Sequence, residues 1–410
     1  MQKTAGPRGL RRMTRRERGS GLAAESARRA PLTRQNSGRL RAENTSVIRL
    51  IAIRAACAVA LIELVAGLAG CGSKGAPGAP APAPPRTYRM GFSAIPPRAD
   101  FNVLMAALEM WRTRSDAAIM HVDPPWDTLL AGYPPDSAVI KTQLGLADYY
   151  KGSGRTLVVM IDLTNGLDRS SDHPALVAKG RSLTEAAVQR VARDYAVAMD
   201  TLLDPAYLGL APETNLIRAA APAPLYAAVR QTANAAAAEV RAVDSAVRLY
   251  VSVQVETAWG KLTPGGTYVG VATDLADFPF IQALGLSSYP YLGGFAEPEE
   301  VPPDYYARIV QGSGLAPMVV EGGWTSASVG GIVSSPDEQA RWITRHIQLL
   351  DEARALFVFQ LTFTDLDLTG VPLPPGSILP LFAALGLVDA SLAAKPALAK
   401  WDAAFARPRN

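Results

Sequence analysis

The chain predicts an α/β fold, a (β/α)8 TIM barrel, and three observations carry that prediction. From residue 88 onward, eight short apolar runs alternate with longer, Ala-rich amphipathic stretches, at intervals of mostly 30 to 50 residues. Each interval suits one strand and one crossover helix of a parallel sheet. The first run leads into Ser93-Ala-Ile-Pro-Pro97. It lacks the glycine pattern that usually follows the first strand of an open doubly wound sheet, so the closed barrel is favoured over that alternative. Two runs end in a glutamate, Glu213 in Tyr207-Leu-Gly-Leu-Ala-Pro-Glu-Thr-Asn215 and Glu321 in Pro317-Met-Val-Val-Glu-Gly-Gly-Trp324, 108 residues apart. In a barrel the C-terminal ends of the strands form the catalytic rim.

Ahead of the barrel, residues 1–70 hold 14 Lys and Arg but only 4 Asp and Glu. The apolar stretch Ala55 to Ala69 follows, ending in Leu68-Ala69-Gly70-Cys71. A basic region, an apolar region and this tetrapeptide resemble a bacterial lipoprotein signal. The resemblance implies cleavage before Cys71, a lipid on that cysteine, and a place in the bacterial cell envelope outside the cytoplasm. An ordinary secretory signal and a transmembrane anchor are the alternatives, although the run is short for the ~20 residues a span needs. Residues 71–87 are rich in Pro, Ala and Gly and read as a flexible tether between membrane and folded domain. The barrel domain is expected over 88–405.

Charge and cysteine use narrow the partners. The whole chain has 41 basic and 37 acidic residues, but beyond the leader the counts are 27 and 33. The basic excess therefore belongs to the leader and gives no argument for nucleic-acid binding. The two cysteines are Cys57, lost with the signal, and Cys71. No disulfide or thiol chemistry is expected of the mature domain, and three histidines with no cysteine cluster argue against a zinc site. No cofactor is expected, and the domain is expected to be a monomer.

The strands are expected at Tyr88–Ser93, Ala118–Val122, Thr156–Leu163, Ala206–Leu210, Arg248–Val255, Ala283–Ser288, Ala316–Glu321 and Ala355–Leu361. Helical patterns lie at Phe101–Ser115, Leu183–Leu203, Pro224–Val243 and Asp337–Ala353. Ser335-Pro336-Asp337-Glu338 reads as a helix start, with Ser335 as cap and proline in the first turn. Leu379–Phe405 is expected to close the eighth unit.

With the strands placed, the residues at their ends resemble the retaining glycosidase superfamily of (β/α)8 barrels, and within it the endo-β-1,4-galactanase group. Glu321-Gly-Gly-Trp324 is similar to that group's nucleophile signature, Glu-x-Gly-Trp. Ser287-Ser-Tyr-Pro290 is similar to its strand 6 motif, whose tyrosine contacts the nucleophile. The resemblance implies that Glu213, on strand 4, is the acid/base and Glu321, on strand 7, the nucleophile. It also places an asparagine immediately before the acid/base, to bond the sugar 2-hydroxyl. This chain has Pro212 there, and Asn215 is the candidate substitute.

Retaining hydrolysis needs an acid with a raised pKa and an ionised nucleophile, with carboxyls ~5–5.5 Å apart; inverting enzymes hold them ~6.5–9.5 Å apart. Tyr289 is a candidate donor to Glu321. Trp324, Trp259 and Trp126, after strands 7, 5 and 2, are candidate platforms for sugar rings, with core packing as the alternative for each. His121, Asp123 and Asp162 are candidate partners for sugar hydroxyls, and Gln360 and Asp365 weaker ones. Two functions remain open: a membrane-tethered hydrolase of a β-linked oligo- or polysaccharide, and a surface lipoprotein of the same fold that binds glycan without cleaving it. An unrelated barrel chemistry is a third reading, because the fold hosts many functions.

Overall fold

In the computed structural model, residues 84–263 and 265–410 are described. The leader, Cys71 and most of the tether lie outside the described residues. Eight parallel strands close into a barrel in sequence order: β1 (Arg89–Ser93), β2 (Ala117–Val122), β3 (Thr156–Ile161), β4 (Tyr207–Gly209), β5 (Arg248–Gln254), β6 (Ala283–Ser288), β7 (Pro317–Gly322) and β8 (Phe357–Gln360). The pairing of β8 with β1, from Arg89↔Phe357 to Phe92↔Gln360, closes the ring and excludes an open sheet. All eight strands lie where the apolar runs predict them, with ends shifted by a residue or two.

Alternation along each strand splits the apolar residues into two layers. Ala117, Ile119, Val158, Met160, Tyr207, Tyr250, Met318, Val320, Phe357 and Phe359 face the axis and plug the barrel. Tyr207 meets Phe357 edge-on at 5.2 Å. The intervening residues, such as Phe92, Leu208, Leu249 and Val319, face the helices. Phe92 is packed by Trp111 at 5.4 Å, Phe363 at 5.0 Å and Trp401 at 4.7 Å. Outside the strands run the helices Phe101–Trp111, Ala186–Leu203, Ala223–Val243, Pro336–Glu352 and Pro396–Phe405. Ser335 caps the fourth of these, accepting from the Glu338 N–H. A bridge between Arg86 and Arg409 ties the two ends of the domain together.

Two segments differ from expectation. Leu379–Phe405 is not one helix: a single 3₁₀ turn, Leu379–Phe382, is followed by an irregular stretch before Pro396. In that stretch Gly386 passes against the backbone of Thr364 and Asp365, so close that a Cβ there would lie 2.2 Å from either. Bridges from Val388 to Thr364 and Ala394 hold the stretch extended. Between β2 and β3 the chain forms helical turns over Trp126–Leu130, Pro135–Val139 and Gly145–Gly152, the last two joined by a π-helical turn. Prolines and glycines interrupt the apolar period there, which hid these turns in the sequence. Among the described residues no helix is long and apolar enough to cross a membrane.

Candidate active site

Directly above the apolar plug, the next inward-facing positions are polar: Ser93 on β1, His121 on β2, Asp162 after β3, Ser252 and Gln254 on β5, and Ser287 on β6. This ring floors a cleft of about 470 Å³ at the C-terminal ends of the strands. That volume lies in the usual range of small-molecule sites, ~300–1,000 Å³.

Glu213 comes off the loop after β4. Its backbone is left-handed, at φ 46° and ψ 45°, a conformation that costs a non-glycine residue on the order of 1–3 kcal/mol and persists only where the surroundings hold it. The holding groups are plain: its N–H donates to Ser252 Oγ at 2.9 Å, and its carboxylate is bonded on both oxygens. The side chain makes no helix cap, although Glu213 precedes the short helix Thr214–Ala220. It is turned into the cleft instead.

Glu321 reaches the cleft through a defect in the ladder. Leu286 pairs with Val319, but Ser287 pairs with Glu321, so Val320 is an extra residue in β7. This is a β-bulge, which lets two consecutive side chains share a face. The glycine that follows is required by close packing, because a Cβ on Gly322 would lie 2.5 Å from the Ser288 carbonyl oxygen.

The two glutamates meet at one hydroxyl. Ser287 Oγ lies 2.6 Å from Glu213 Oε1 and 2.7 Å from Glu321 Oε1. These oxygens are therefore separated by at most roughly 5.3 Å, which is short of the inverting spacing and compatible with the retaining one. A serine hydroxyl carries a single hydrogen. It can donate to one carboxylate only, so the second contact is a hydrogen bond only when the other carboxyl carries a proton.

The surroundings say which one. Arg169, buried in the loop after β3, donates from Nε to Glu213 Oε2 at 2.8 Å. Its Nη1 donates to Asp162 Oδ2 at 2.6 Å and Thr164 Oγ1 at 3.0 Å. A fixed positive charge thus stands against Glu213. Glu321 has no such partner. Burial, then the charge of Glu213, push its pKa up to about 7. When the pair holds one proton, that proton therefore favours Glu321 over Glu213, which faces Arg169. His121 Nε2 lies 3.6 Å from Glu321 Oε2. Burial pulls the pKa of this histidine down to about 4, so the ring is neutral near pH 7 and makes no ion pair there.

A third buried carboxyl, Glu256, stands behind the floor. It accepts from Ser288 Oγ and Tyr305 Oη, each at 3.1 Å, and from the Gln254 side chain. Burial pushes its pKa up to about 7. Its effect is to orient Gln254, which lines the cleft.

Of the residues expected from sequence, Glu213, Glu321, His121, Asp123, Asp162 and Tyr289 line the cleft. Four others do not, and their readings are corrected. Trp324 is 1 % exposed, tilts against Trp342 and donates to Ser334. Trp126 is buried beside His173. Trp259 stacks on Tyr305 and donates to its carbonyl. Each indole fills space between barrel and helices and offers no platform. Asn215 spends its amide on the Gln254 backbone, donating at 2.8 Å and accepting at 2.8 Å. It is buried and does not line the cleft, so it cannot reach a sugar there. Tyr289 packs edge-on against Phe382, and among the described residues no hydrogen bond joins it to Glu321; Ser287 fills that role. Gln360 is turned outward to the Leu385 carbonyl, and Asp365 is paired with Lys395.

Sequence reasoning missed Arg169, Ser287 and Gln254. Ser287 stood inside a quoted motif, two positions from the residue singled out, Tyr289. Gln254 was the penultimate residue of an expected strand, Arg248–Val255. Arg169 lies in an irregular loop with no periodic signal. Among the described residues no three His, Cys, Asp or Glu side chains are grouped to hold a metal ion.

No family model and no curated protein matches this sequence. Solved structures do match in shape. An exo-β-1,4-mannosidase from Opitutaceae bacterium strain TAV5 aligns at TM-score 0.59 and 16 % identity, over 78 % of this chain and 60 % of its own. A GH5_18 protein from Bifidobacterium longum subsp. infantis aligns at TM-score 0.55 and 15 % identity, over 79 % and 80 %. A GH5_18 protein from Streptomyces cattleya, in complex with GlcNAc, aligns at TM-score 0.52 and 16 % identity, over 78 % and 80 %. The chain thus spans less than two thirds of the mannosidase's length. At these identities the likeness is one of fold: this chain is a (β/α)8 barrel built like those proteins.

Proposed function

We propose that this protein is a retaining glycoside hydrolase acting on a β-linked sugar. The observation that carries the reading is Ser287 Oγ in contact with both Glu213 and Glu321, which keeps the two carboxylates closer than an inverting pair and supports a retaining one. The names of the similar structures, a β-1,4-mannosidase and a barrel with GlcNAc bound, support a sugar in the cleft.

In this reading Glu321 attacks the anomeric carbon while Glu213 gives its proton to the leaving oxygen. Glu213 then takes a proton from water, which attacks the same carbon and releases Glu321. The proton must first move from Glu321, which it favours, to Glu213. Ser287 supplies the path: its Oγ takes the proton of Glu321 while its own hydrogen passes to Glu213 Oε1. Arg169 occupies Oε2 and leaves Oε1 as the oxygen that carries the acid proton. The test is hydrolysis of a panel of aryl β-glycosides and β-linked polysaccharides by wild type and Glu321→Gln. Turnover abolished by the substitution supports the reading; turnover that survives it sinks it.

A second reading has its own observations. Pro212 stands where the resemblance places asparagine, and Arg169 ties down one oxygen of the acid. Both favour a barrel that binds glycan without cleaving it. A wild type silent on the whole panel that still binds a glycan would establish that reading.

The envelope tether is proposed from sequence, through the basic leader, the apolar stretch and Cys71. Cys71→Ser should move the protein from the membrane fraction to the soluble one; unchanged fractionation would refute the lipid anchor.

A further inference from the structure

The floor of the cleft and its walls differ in chemistry. The floor groups His121, Asp162, Arg169, Glu213, Gln254 and Glu321 around one point. The walls present Ile95, Leu167, Leu262, Leu292, Ile378 and Phe382, from the loops after β1, β3, β5, β6 and β8. Four of these are open to solvent: Ile95 at 37 %, Leu167 at 43 %, Leu262 at 42 % and Ile378 at 40 %. Exposed aliphatic residues scattered singly mean little, but convergent ones mark a binding surface. Here they come from four separate loops and meet over one cavity.

These walls suit a sugar chain poorly. Each further ring would bring hydroxyls against aliphatic carbon, and a buried hydroxyl left without a partner costs about 1–3 kcal/mol. None of the six tryptophans lines the cleft, and its two aromatic rings, Tyr289 and Phe382, are packed edge-on against each other at 5.0 Å rather than set as a row of platforms. The polar groups provide for one ring beside the glutamates, and the surface beyond it is hydrocarbon.

We propose that the site takes β-glycosides whose leaving group is apolar, an alkyl or aryl alcohol, rather than a chain of further sugars. The proposal rests on the glycosidase reading of the same two glutamates. Hydrolysis would release that alcohol, carrying the proton from Glu213, and the free sugar.

The test uses methyl, butyl, octyl and 4-nitrophenyl β-glycosides of glucose, galactose and mannose, beside β-linked disaccharides of the same sugars. Hydrolysis is followed by sugar release. Affinity is measured in parallel by calorimetry with the corresponding thioglycosides. The expected result is kcat/KM, or affinity, rising with alkyl length by up to about fourfold per added methylene that enters the cleft. Disaccharides should lie below the octyl compound. Leu262→Asn and Ile378→Asn, both at the rim, should flatten that slope. A rise with the alkyl series assigns a lipid-like alcohol, and a rise with the nitrophenyl compound alone a compact aromatic one. A slope in affinity without turnover would sink the glycosidase reading and leave this one standing. A flat series, no binding at all, or disaccharides preferred over octyl glycosides would overturn it whether or not the enzyme is active.

Discussion

Val320 and Glu321 are neighbours in the chain and both face the barrel axis, which a regular strand does not allow. Val320 belongs to the inner apolar plug and Glu321 lines the cleft above it. The bulge opposite Leu286 and Ser287 makes this possible. It also aligns Glu321 with Ser287, and through that hydroxyl with Glu213. The chemistry of the site therefore depends on an irregularity of one residue in one strand.

The first prediction concerns pH. Turnover needs the one proton the pair shares, and Glu321 holds it with a pKa raised to about 7. As pH rises through about 7 that proton is lost and Glu213 has none to give, so activity falls. The alkaline limb of kcat/KM, measured on an aryl β-glycoside, should lie near pH 7, and it belongs to the coupled pair. An alkaline limb near the ordinary carboxylate range, ~4.3, would show that Glu321 is not held as described.

The second concerns Arg169. Its guanidinium is buried between Asp162 and Glu213. Arg169→Met removes the shared cation and leaves two carboxylates facing each other in the interior. Removing one side of a buried ion pair costs about 3–5 kcal/mol, and a loss of this order is expected in urea unfolding near neutral pH. Arg169→Lys should recover only part of it, since an ammonium cannot fork to both partners. A loss well below 1 kcal/mol for the methionine variant would mean that the pair does not hold Glu213 in its left-handed turn.

The strands and both glutamates were legible because burial on both faces writes a continuous apolar run, and because Glu321-Gly-Gly needs glycines where the backbone meets Ser288. What was not legible depends on tertiary contact. An indole after a strand end reads equally as sugar platform or as packing, and the structure packs Trp126, Trp259 and Trp324. Arg169 is one arginine in a loop of Asp and Ser turns, and only the fold brings it to Glu213. The bulge at Val320 leaves no mark in the apolar pattern, and without it alternation would put Glu321 outside the barrel.

The third prediction tests burial away from the site. Asp200 lies inside the helix Ala186–Leu203, and neither carboxylate oxygen has a partner. Burial, then the charges of Asp244 and Asp204, push its pKa up to about 7. Its folded pKa is above the unfolded value of ~3.9, so the stability it contributes is present below that value and is lost as pH rises through about 7. Asp200→Asn should therefore raise the unfolding midpoint at pH 8 and leave it nearly unchanged at pH 4. His121 and His346 shift in the opposite sense, so variant and parent are compared at each pH. Equal midpoints at pH 8 would count against the assignment.

The last prediction isolates Ser287. Its hydroxyl donates nothing that water or a sugar hydroxyl supplies in the same place, because it is fully buried between the two carboxylates. Ser287→Ala leaves the strand and both glutamates in position but removes the proton path between them. Its hydrogen bond lowers the pKa of Glu321 against the effect of burial, so its loss raises that pKa and moves the alkaline limb above pH 7. The expected result is a fall in kcat of about 10²-fold, at the lower end of what proton-transfer catalysis contributes, with KM little changed. Ser287→Thr keeps the hydroxyl and should restore most of the rate. If Ser287→Ala changed KM alone and left the alkaline limb where it was, the hydroxyl would be a packing group and the proton would reach Glu213 by another route.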